Sequence, residues 1–136
     1  MNESNTINVI YVEPLKPPRM IELEENLEAM QQAVGGDIEE YMPYEDEVAL
    51  VCNREGKMNN LPLNRAITDD EGHVMDIIAG PFFIAYAPCD SEKFLSMPED
   101  LKEKYMKKFK TPEKFVAIDH RITAIPYAPH KDEMER

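Results

Sequence analysis

Short apolar and β-branched runs, each closed by a turn-forming segment, limit what this chain can fold into. Ile7–Val12 is followed by Pro14, and Val74–Ile78 is separated from Phe82–Ala87 by a Gly-Pro step. Val48–Asn53 is apolar over its first five residues. Runs of this length and composition are typical of strands, and an uninterrupted apolar run is typical of a strand buried on both faces. We therefore predict a sheet as the framework of the fold.

One amphipathic segment near the N-terminus predicts a short helix. The side chain of Asn26 can accept a hydrogen bond from the first turn, as helix N-caps do. Leu27, Met30 and Val34 recur on one face of such a helix. Gly35-Gly36 ends it, because glycine adopts the left-handed conformation of a helix C-terminus without steric cost.

A second amphipathic segment predicts a longer helix after residue 95. Ser96 and Glu99 have the spacing of a capping box, which places the helix N-terminus at Ser96. Acidic residues lie near its start and lysines near its end, in agreement with the helix dipole. Four apolar residues at every fourth position are expected to form its buried stripe: Met97, Leu101, Tyr105 and Phe109.

Three further segments are read as strands, and together the elements predict the fold class. These segments are Met20–Leu23, Ile38–Met42 and Phe115–Ile125. The predicted class is α+β, with a mixed, mainly antiparallel sheet and two helices packed on it. We expect one domain over residues 7–126, between a polar N-terminal tail (1–6) and a charged C-terminal tail (127–136).

The charge of the chain is large, negative and uneven. Of 136 residues, 27 are acidic and 15 are lysine or arginine, for a net charge of −12. Residues 1–60 carry −9, residues 61–95 carry −4 and residues 96–136 carry +1. Nucleic-acid binding needs clustered lysine and arginine, so direct binding of nucleic acid is not expected. The acidic turn Glu45-Asp46-Glu47 is a candidate for binding a protein partner.

Composition also predicts where the protein acts. No run approaches the roughly 18 apolar residues that a membrane span needs. The first residues have neither the basic flank nor the apolar run of a signal peptide, so we expect a cytoplasmic protein that makes no membrane contact. Cys52 and Cys89 are then expected to be free thiols rather than a disulfide.

No motif in the sequence predicts catalysis, and no cofactor is expected. The serines lie outside any nucleophile motif, and Cys52 sits in an apolar run, as a core cysteine does. Asp69, Glu71 and His73 alternate and could face one metal ion, but an acidic hairpin turn explains them as well. We therefore predict neither catalytic residues nor a metal site.

One cluster of amide and cationic side chains suggests a ligand site on this acidic chain. Asn53 and Lys57 flank a tight turn, and Asn64 and Arg65 follow in the next extended segment. Such groups are suited to a nucleotide or another small anion. The alternative is that they stabilise the turn and the irregular segment. The ligand hypothesis expects Arg65→Ala to abolish binding and leave the fold intact.

Several segments together resemble a known family. They are Val34–Glu39, Val48–Lys57, Leu61–Arg65 and Asp76–Ile84. In order and spacing they are similar to the family catalogued as domain of unknown function 3846, over about residues 7–109. The resemblance implies an origin in bacteriophages or mobile elements. It supplies no catalytic residues, and it implies a role as an accessory factor against host defence.

The leading functional hypothesis is therefore a non-enzymatic, anti-defence binding protein that inhibits a host defence protein through its acidic surface. The first alternative is a protein that sequesters a nucleotide signal in a pocket near Asn53–Arg65. The second alternative is a small nucleotide-processing enzyme.

Overall fold

The apolar runs form the strands of an antiparallel sheet in a computed structural model that describes residues 5–127. The two helices and nine strands within these residues confirm the predicted α+β class. In chain order the elements are β1 (Thr6–Val12), β2 (Arg19–Glu24), α1 (Leu27–Val34), β3 (Ile38–Tyr41), β4 (Val48–Asn53), β5 (Leu63–Thr68), β6 (Val74–Ala79), β7 (Phe82–Tyr86), α2 (Glu99–Lys108), β8 (Glu113–Ile118) and β9 (Arg121–Pro126).

The main sheet has five strands in the order β2-β1-β7-β4-β3, and every neighbouring pair is antiparallel. β7 lies at its centre, where Ile84 pairs with Ile10 on one side and with Leu50 on the other. All six residues of β4 are buried, which confirms the prediction of an interior strand. β2 and β3 are the edges of this sheet.

The sheet buries apolar side chains on both faces, because successive residues of a strand point to opposite sides. One face is covered by α1 and the other by α2 together with the β5–β6 hairpin. The α1 side includes Val9, Met30, Val34, Val51 and Phe83. The α2 side includes Ile10, Leu50, Ile67, Phe82, Tyr105 and Phe109.

α1 has the predicted ends. The side chain of Asn26 accepts a hydrogen bond from Ala29 N at 2.8 Å, and Gly35 closes the helix with φ +80°. Met30 and Val34 are buried as predicted, but Leu27 is 56% exposed. Helical side chains lean toward the N-terminus, so Leu27 in the first turn projects past the end of the packed face.

α2 begins two residues later than the capping box predicts, because the N-cap is Pro98 and not Ser96. The helix starts at Glu99, and its N-cap residue Pro98 makes no side-chain cap. Ser96 Oγ instead accepts a hydrogen bond from Asn8 N at 2.9 Å, because Met97 N donates to Asn8 O and holds this segment against β1. The buried stripe is largely as predicted, since Met97, Tyr105 and Phe109 are buried and Leu101 is partly buried.

The segment predicted as one strand over Phe115–Ile125 is a hairpin. β8 and β9 pair from Ile118↔Arg121 to Glu113↔Pro126 around a two-residue turn. Asp119 and His120 have φ of +50° and +65°. Two positive φ values in a two-residue loop are the geometry that fits strand twist, and Asp and His tolerate them better than most residues.

Part of the predicted domain organisation lies outside the described residues. Residues 1–4 and 128–136, which hold most of both predicted tails, are not described, while Thr6 already belongs to β1. Over residues 5–127 no helix is both long enough and apolar enough to cross a bilayer.

Candidate partner-binding surface

The structure brings together only two of the four predicted ligand residues. Asn53 and Lys57 line a cavity of about 250 Å³ between β3, β4 and β6. Asn64 and Arg65 do not line it, and they are 0% and 1% exposed. Although the four residues are close in sequence, they are not grouped in space, because Asn64 and Arg65 lie on β5 and point into the interior.

Asn53 uses its amide to join two chain segments. Its Nδ2 donates to Val34 O at 3.2 Å, and its Oδ1 accepts from Glu55 N at 2.8 Å. The chain passes so close that a Cβ added at Gly36 would lie 2.9 Å from Asn53 Nδ2. Asn53 therefore ties the end of α1 to the turn after β4, and both ends of its amide are engaged.

Arg65 links three segments that are far apart in sequence. Its Nη2 donates to Lys16 O at 2.7 Å and to Phe109 O at 3.1 Å, and its Nη1 donates to Asn64 Oδ1 at 2.9 Å. Phe109 O lies at the C-terminus of α2, where the helix dipole favours a cation. Burial lowers the pKa of Arg65, while nearby Glu113 opposes that shift. The guanidinium group thus stabilises the fold from inside.

Asn64 is engaged in the same way. Its Nδ2 donates to Val12 O and to Gly80 O, each at 2.9 Å, while its Oδ1 accepts from Arg65. One amide therefore connects the end of β1, the turn before β7 and the buried guanidinium. No hydrogen-bonding group of its amide faces solvent, since the residue is 0% exposed.

Lys57 is the exposed member of the four, and it is paired. Its Nζ lies 2.6 Å from Asp76 Oδ1. The cavity that it lines with Asn53 also contains Glu39 and Arg54, so two cations face two carboxylates. A phosphate would have to compete with Asp76 for Lys57, in a cavity with no excess positive charge.

The predicted partner-binding turn contains three carboxylates in three different situations. Glu45 is exposed, and its side chain makes no ion pair or hydrogen bond with any described residue. Asp46 accepts from Tyr105 Oη at 2.7 Å and forms an ion pair with Lys104. Glu47 accepts a hydrogen bond from Cys89 N. Only Glu45 is therefore unengaged, and Asp46 also holds the turn against α2.

The ties to Asp46 predict a loss of stability in acid. Hydrogen bonds from Lys104 and Tyr105 lower the pKa of Asp46 below its ordinary 3.8. A carboxyl group whose pKa is lower in the folded state stabilises the protein above its unfolded pKa, and this stabilisation is lost as pH falls through the folded value. We expect Asp46→Asn to lower the urea midpoint at neutral pH, with the deficit shrinking below pH 3.8. A deficit independent of pH would contradict the role of the ionised Asp46 carboxylate. The control is Asp70→Asn, which replaces an exposed acid.

The strand before this turn carries acidic residues that sequence reasoning did not assign to a site. Six of the eleven residues from 37 to 47 are acidic and none is basic. Glu39 and Glu40 of β3 are exposed, and among residues 5–127 neither side chain has an ion-pair or hydrogen-bond partner. Adjacent acids in a four-residue strand are typical of a sheet edge, which is the signal that was overlooked. We call Glu39, Glu40, Glu45 and Glu47 the acidic β3 surface.

A second cavity opens on the acidic β3 surface. It has a volume of about 420 Å³ and lies between the end of β3 and the segment after β7. Acidic side chains line it with Lys93 as the only base, and its apolar wall includes Met42 and Phe94. The carboxylates in its lining are Glu40, Glu45, Asp46, Glu47 and Glu92. Such a cavity favours a cationic group with an apolar stem.

The other residues considered for chemistry are placed as follows. Burial, followed by the charge of Glu39, raises the pKa of the Cys52 thiol to about 11, so the thiol is protonated at neutral pH. The hydrogen bond and charge of Glu47 raise the pKa of Cys89. Asp69 and Glu71 lie 3.4 Å and 3.6 Å from His73 Nδ1 in an exposed turn. The part of the chain that the structure describes contains no group of three histidine, cysteine, aspartate or glutamate side chains placed to hold a metal ion.

Comparison with known proteins gives one match. Neither the curated proteins nor the solved structures contain a significant match to this chain. The model of one family matches residues 7–110, which include the main sheet except for Thr6, both helices and the acidic β3 surface. The chain belongs to the family described as a domain of unknown function (DUF3846).

Proposed function

We propose that this chain is a non-enzymatic binding protein whose acidic β3 surface engages a positively charged surface of a partner protein. The observation that carries the proposal is the set of exposed carboxylates at one sheet edge, of which Glu39, Glu40 and Glu45 have no partner among the described residues. In the free protein such carboxylates remain hydrated, and a basic partner gains by pairing with them.

The charge of the whole chain supports the same proposal. A net charge of −12 creates a field that attracts basic surfaces and repels nucleic acid. A protein that holds nucleic acid presents the kind of positive groove that this surface would occupy. The context comes from the resemblance of this chain to its family, which implies an origin in bacteriophages or mobile elements. We propose a host defence protein as the partner and the cytoplasm of a bacterial host as the place of action.

The chemistry of the remaining polar groups also favours binding over turnover. Both thiols have raised pKa values, and thiolate is the form that attacks a substrate. Asn64 and Arg65, which a nucleotide site would need, are engaged inside the protein. We therefore place the function in the exposed carboxylates rather than in a substrate pocket.

The proposal predicts which charges matter for activity in cells. We expect the parent protein to restore phage plaquing in a bacterial strain whose defence system it blocks. The triple variant Glu39→Gln, Glu40→Gln and Glu45→Gln removes three unpaired charges without disturbing a described contact. Its affinity for the partner should fall roughly tenfold, chiefly at low salt, so plaquing should drop. The measurement is the efficiency of plating across strains that each carry one defence system.

A matched variant separates a local effect from a change in net charge. Glu22→Gln, Glu24→Gln and Glu28→Gln removes the same charge from β2 and α1, away from the β3 edge. Glu24 accepts a hydrogen bond from Asn26 Nδ2 at 3.0 Å, and the amide oxygen of glutamine can accept the same bond. This control should plate like the parent protein. Equal losses in both triple variants would show that only total charge matters. Full activity in the β3 variant would refute the acidic β3 surface as the binding site.

A further inference from the structure

The outer edge of β3 carries backbone groups that no described strand satisfies. β3 is the last strand of the sheet, and Arg54 N donates to Asp37 O at 2.8 Å at the start of the β3–β4 ladder. Hydrogen-bonded and non-hydrogen-bonded pairs alternate in an antiparallel ladder. The backbone groups of Glu39 therefore point toward β4, and those of Ile38 and Glu40 point away from the sheet.

Two cavities flank this edge, one on each face of the sheet. Glu39 and Tyr41 line the cavity of about 250 Å³ that also contains Lys57. Glu40 and Met42 line the acidic cavity of about 420 Å³. Side chains of a paired strand alternate between the two faces, so a strand added beside β3 would direct its residues into the two cavities in turn.

From these features we infer that an extended segment of the partner adds to β3 as a sixth strand, with lysine or arginine at alternate positions. Since the positive charge of the partner comes from the proposed function, this inference rests on that function and adds the conformation of the bound segment. Backbone hydrogen bonds to Ile38 and Glu40 supply affinity, and the two cavities supply specificity, as in other cases of strand addition.

The charges that line the two cavities indicate which side chains the added strand would carry. Besides Asp46, which is paired with Lys104, the acidic cavity has four carboxylates against one lysine. Met42 and Phe94 lie beside them to receive the methylene stem of a basic side chain. The cavity on the other face has two acids and two bases, so it is suited to a neutral polar side chain. A second copy of this chain fits poorly, because β3 paired with itself would place its glutamates against the same carboxylates.

Two synthetic peptides of equal charge separate strand addition from charge attraction. One alternates lysine with threonine and can form a strand, whereas the other alternates lysine with proline and lacks half of the backbone donors. We expect the lysine–threonine peptide to bind at least about fivefold more tightly at about 20 mM salt, and both peptides to weaken at about 300 mM salt. Fluorescence anisotropy of labelled peptide against the full chain measures both affinities.

A pair of substitutions at one position isolates the backbone contact. Glu40→Gln removes the charge and keeps the N–H, while Glu40→Pro removes both. Proline is tolerated at an edge strand where the N–H faces away from the sheet, so the β3–β4 ladder should survive. We expect Glu40→Pro to bind the lysine–threonine peptide about fivefold more weakly than Glu40→Gln does.

Amide exchange tests the parent protein directly and does not depend on the proline variant folding. Without peptide, the amides of Ile38 and Glu40 should exchange faster than the amide of Glu39. With the lysine–threonine peptide, both should slow. Equal affinities for the two peptides with unchanged exchange would overturn strand addition and leave the proposed function standing. The proposed function is tested separately by the β3 triple variant, whose loss of plaquing would support it.

Discussion

Replacing Arg65 with methionine is expected to destabilise the fold by about 2–4 kcal/mol. Arg65 does not line the cavity that contains Asn53 and Lys57, so its contribution is to stability. The side chain is 1% exposed, and it donates to Lys16 O, to Phe109 O and to Asn64 Oδ1. Methionine fills much of the volume but leaves all three acceptors without this donor. Relief of the buried charge offsets only part of that cost. Urea unfolding followed by circular dichroism measures the change.

Two variants make this result specific. Arg54→Met removes an exposed arginine whose side chain contacts no described hydrogen-bond partner, so its stability should match that of the parent within about 0.5 kcal/mol. Arg65→Lys should be as unstable as Arg65→Met, because one ammonium group cannot reproduce the planar fork. A stable Arg65→Met protein would contradict the internal tie. The ligand hypothesis from sequence, which expects the fold to survive loss of this side chain, would then regain support.

Replacing Asn64 with alanine is expected to cost about 2–3 kcal/mol. The variant removes the donor to Val12 O and Gly80 O and the acceptor for Arg65 Nη1, at a position that is 0% exposed. Water cannot replace these bonds without opening the contact between β1 and the turn before β7. The measurement is again the urea midpoint, with the exposed Asn59→Ala as the control.

The two side chains should also behave as one network. In the double variant Asn64→Ala and Arg65→Met, the loss of stability should be about 1 kcal/mol smaller than the sum of the two single losses. The reason is that the bond between them is counted in both single variants. Strict additivity would show that the hydrogen bond from Arg65 Nη1 to Asn64 Oδ1 contributes nothing.

Elements governed by local rules were predictable from the sequence. The cap at Asn26, the left-handed Gly35 and the apolar run of β4 follow from interactions within a few residues, and the structure confirms each of them. The capping box at Ser96 failed because a distant strand competes for the same hydroxyl, through Asn8 N. Local spacing could not reveal that competition, since the two residues are 88 positions apart.

The candidate site divides in the same way. The acidic stretch around Glu45 was visible in the sequence as a run of like charge. The four ligand candidates were grouped because they are neighbours in the chain, and folding separates Asn53 and Lys57 from Asn64 and Arg65. An amide or guanidinium group satisfies a backbone carbonyl as well as it satisfies a ligand, so residue type does not decide between these uses.

By itself, the sequence determined the class of the fold, the identity of its interior strand and the negative charge of its first half, because periodicity and charge belong to the residues wherever they lie. Only the tertiary structure decided which polar groups remain exposed and which strands form the edges of the sheet. Arg65 meets carbonyls 49 and 44 residues away, and the outward direction of the Glu40 backbone follows from the pairing of β3 with β4. Contacts between such distant segments depend on how the whole chain packs, and no local pattern specifies them.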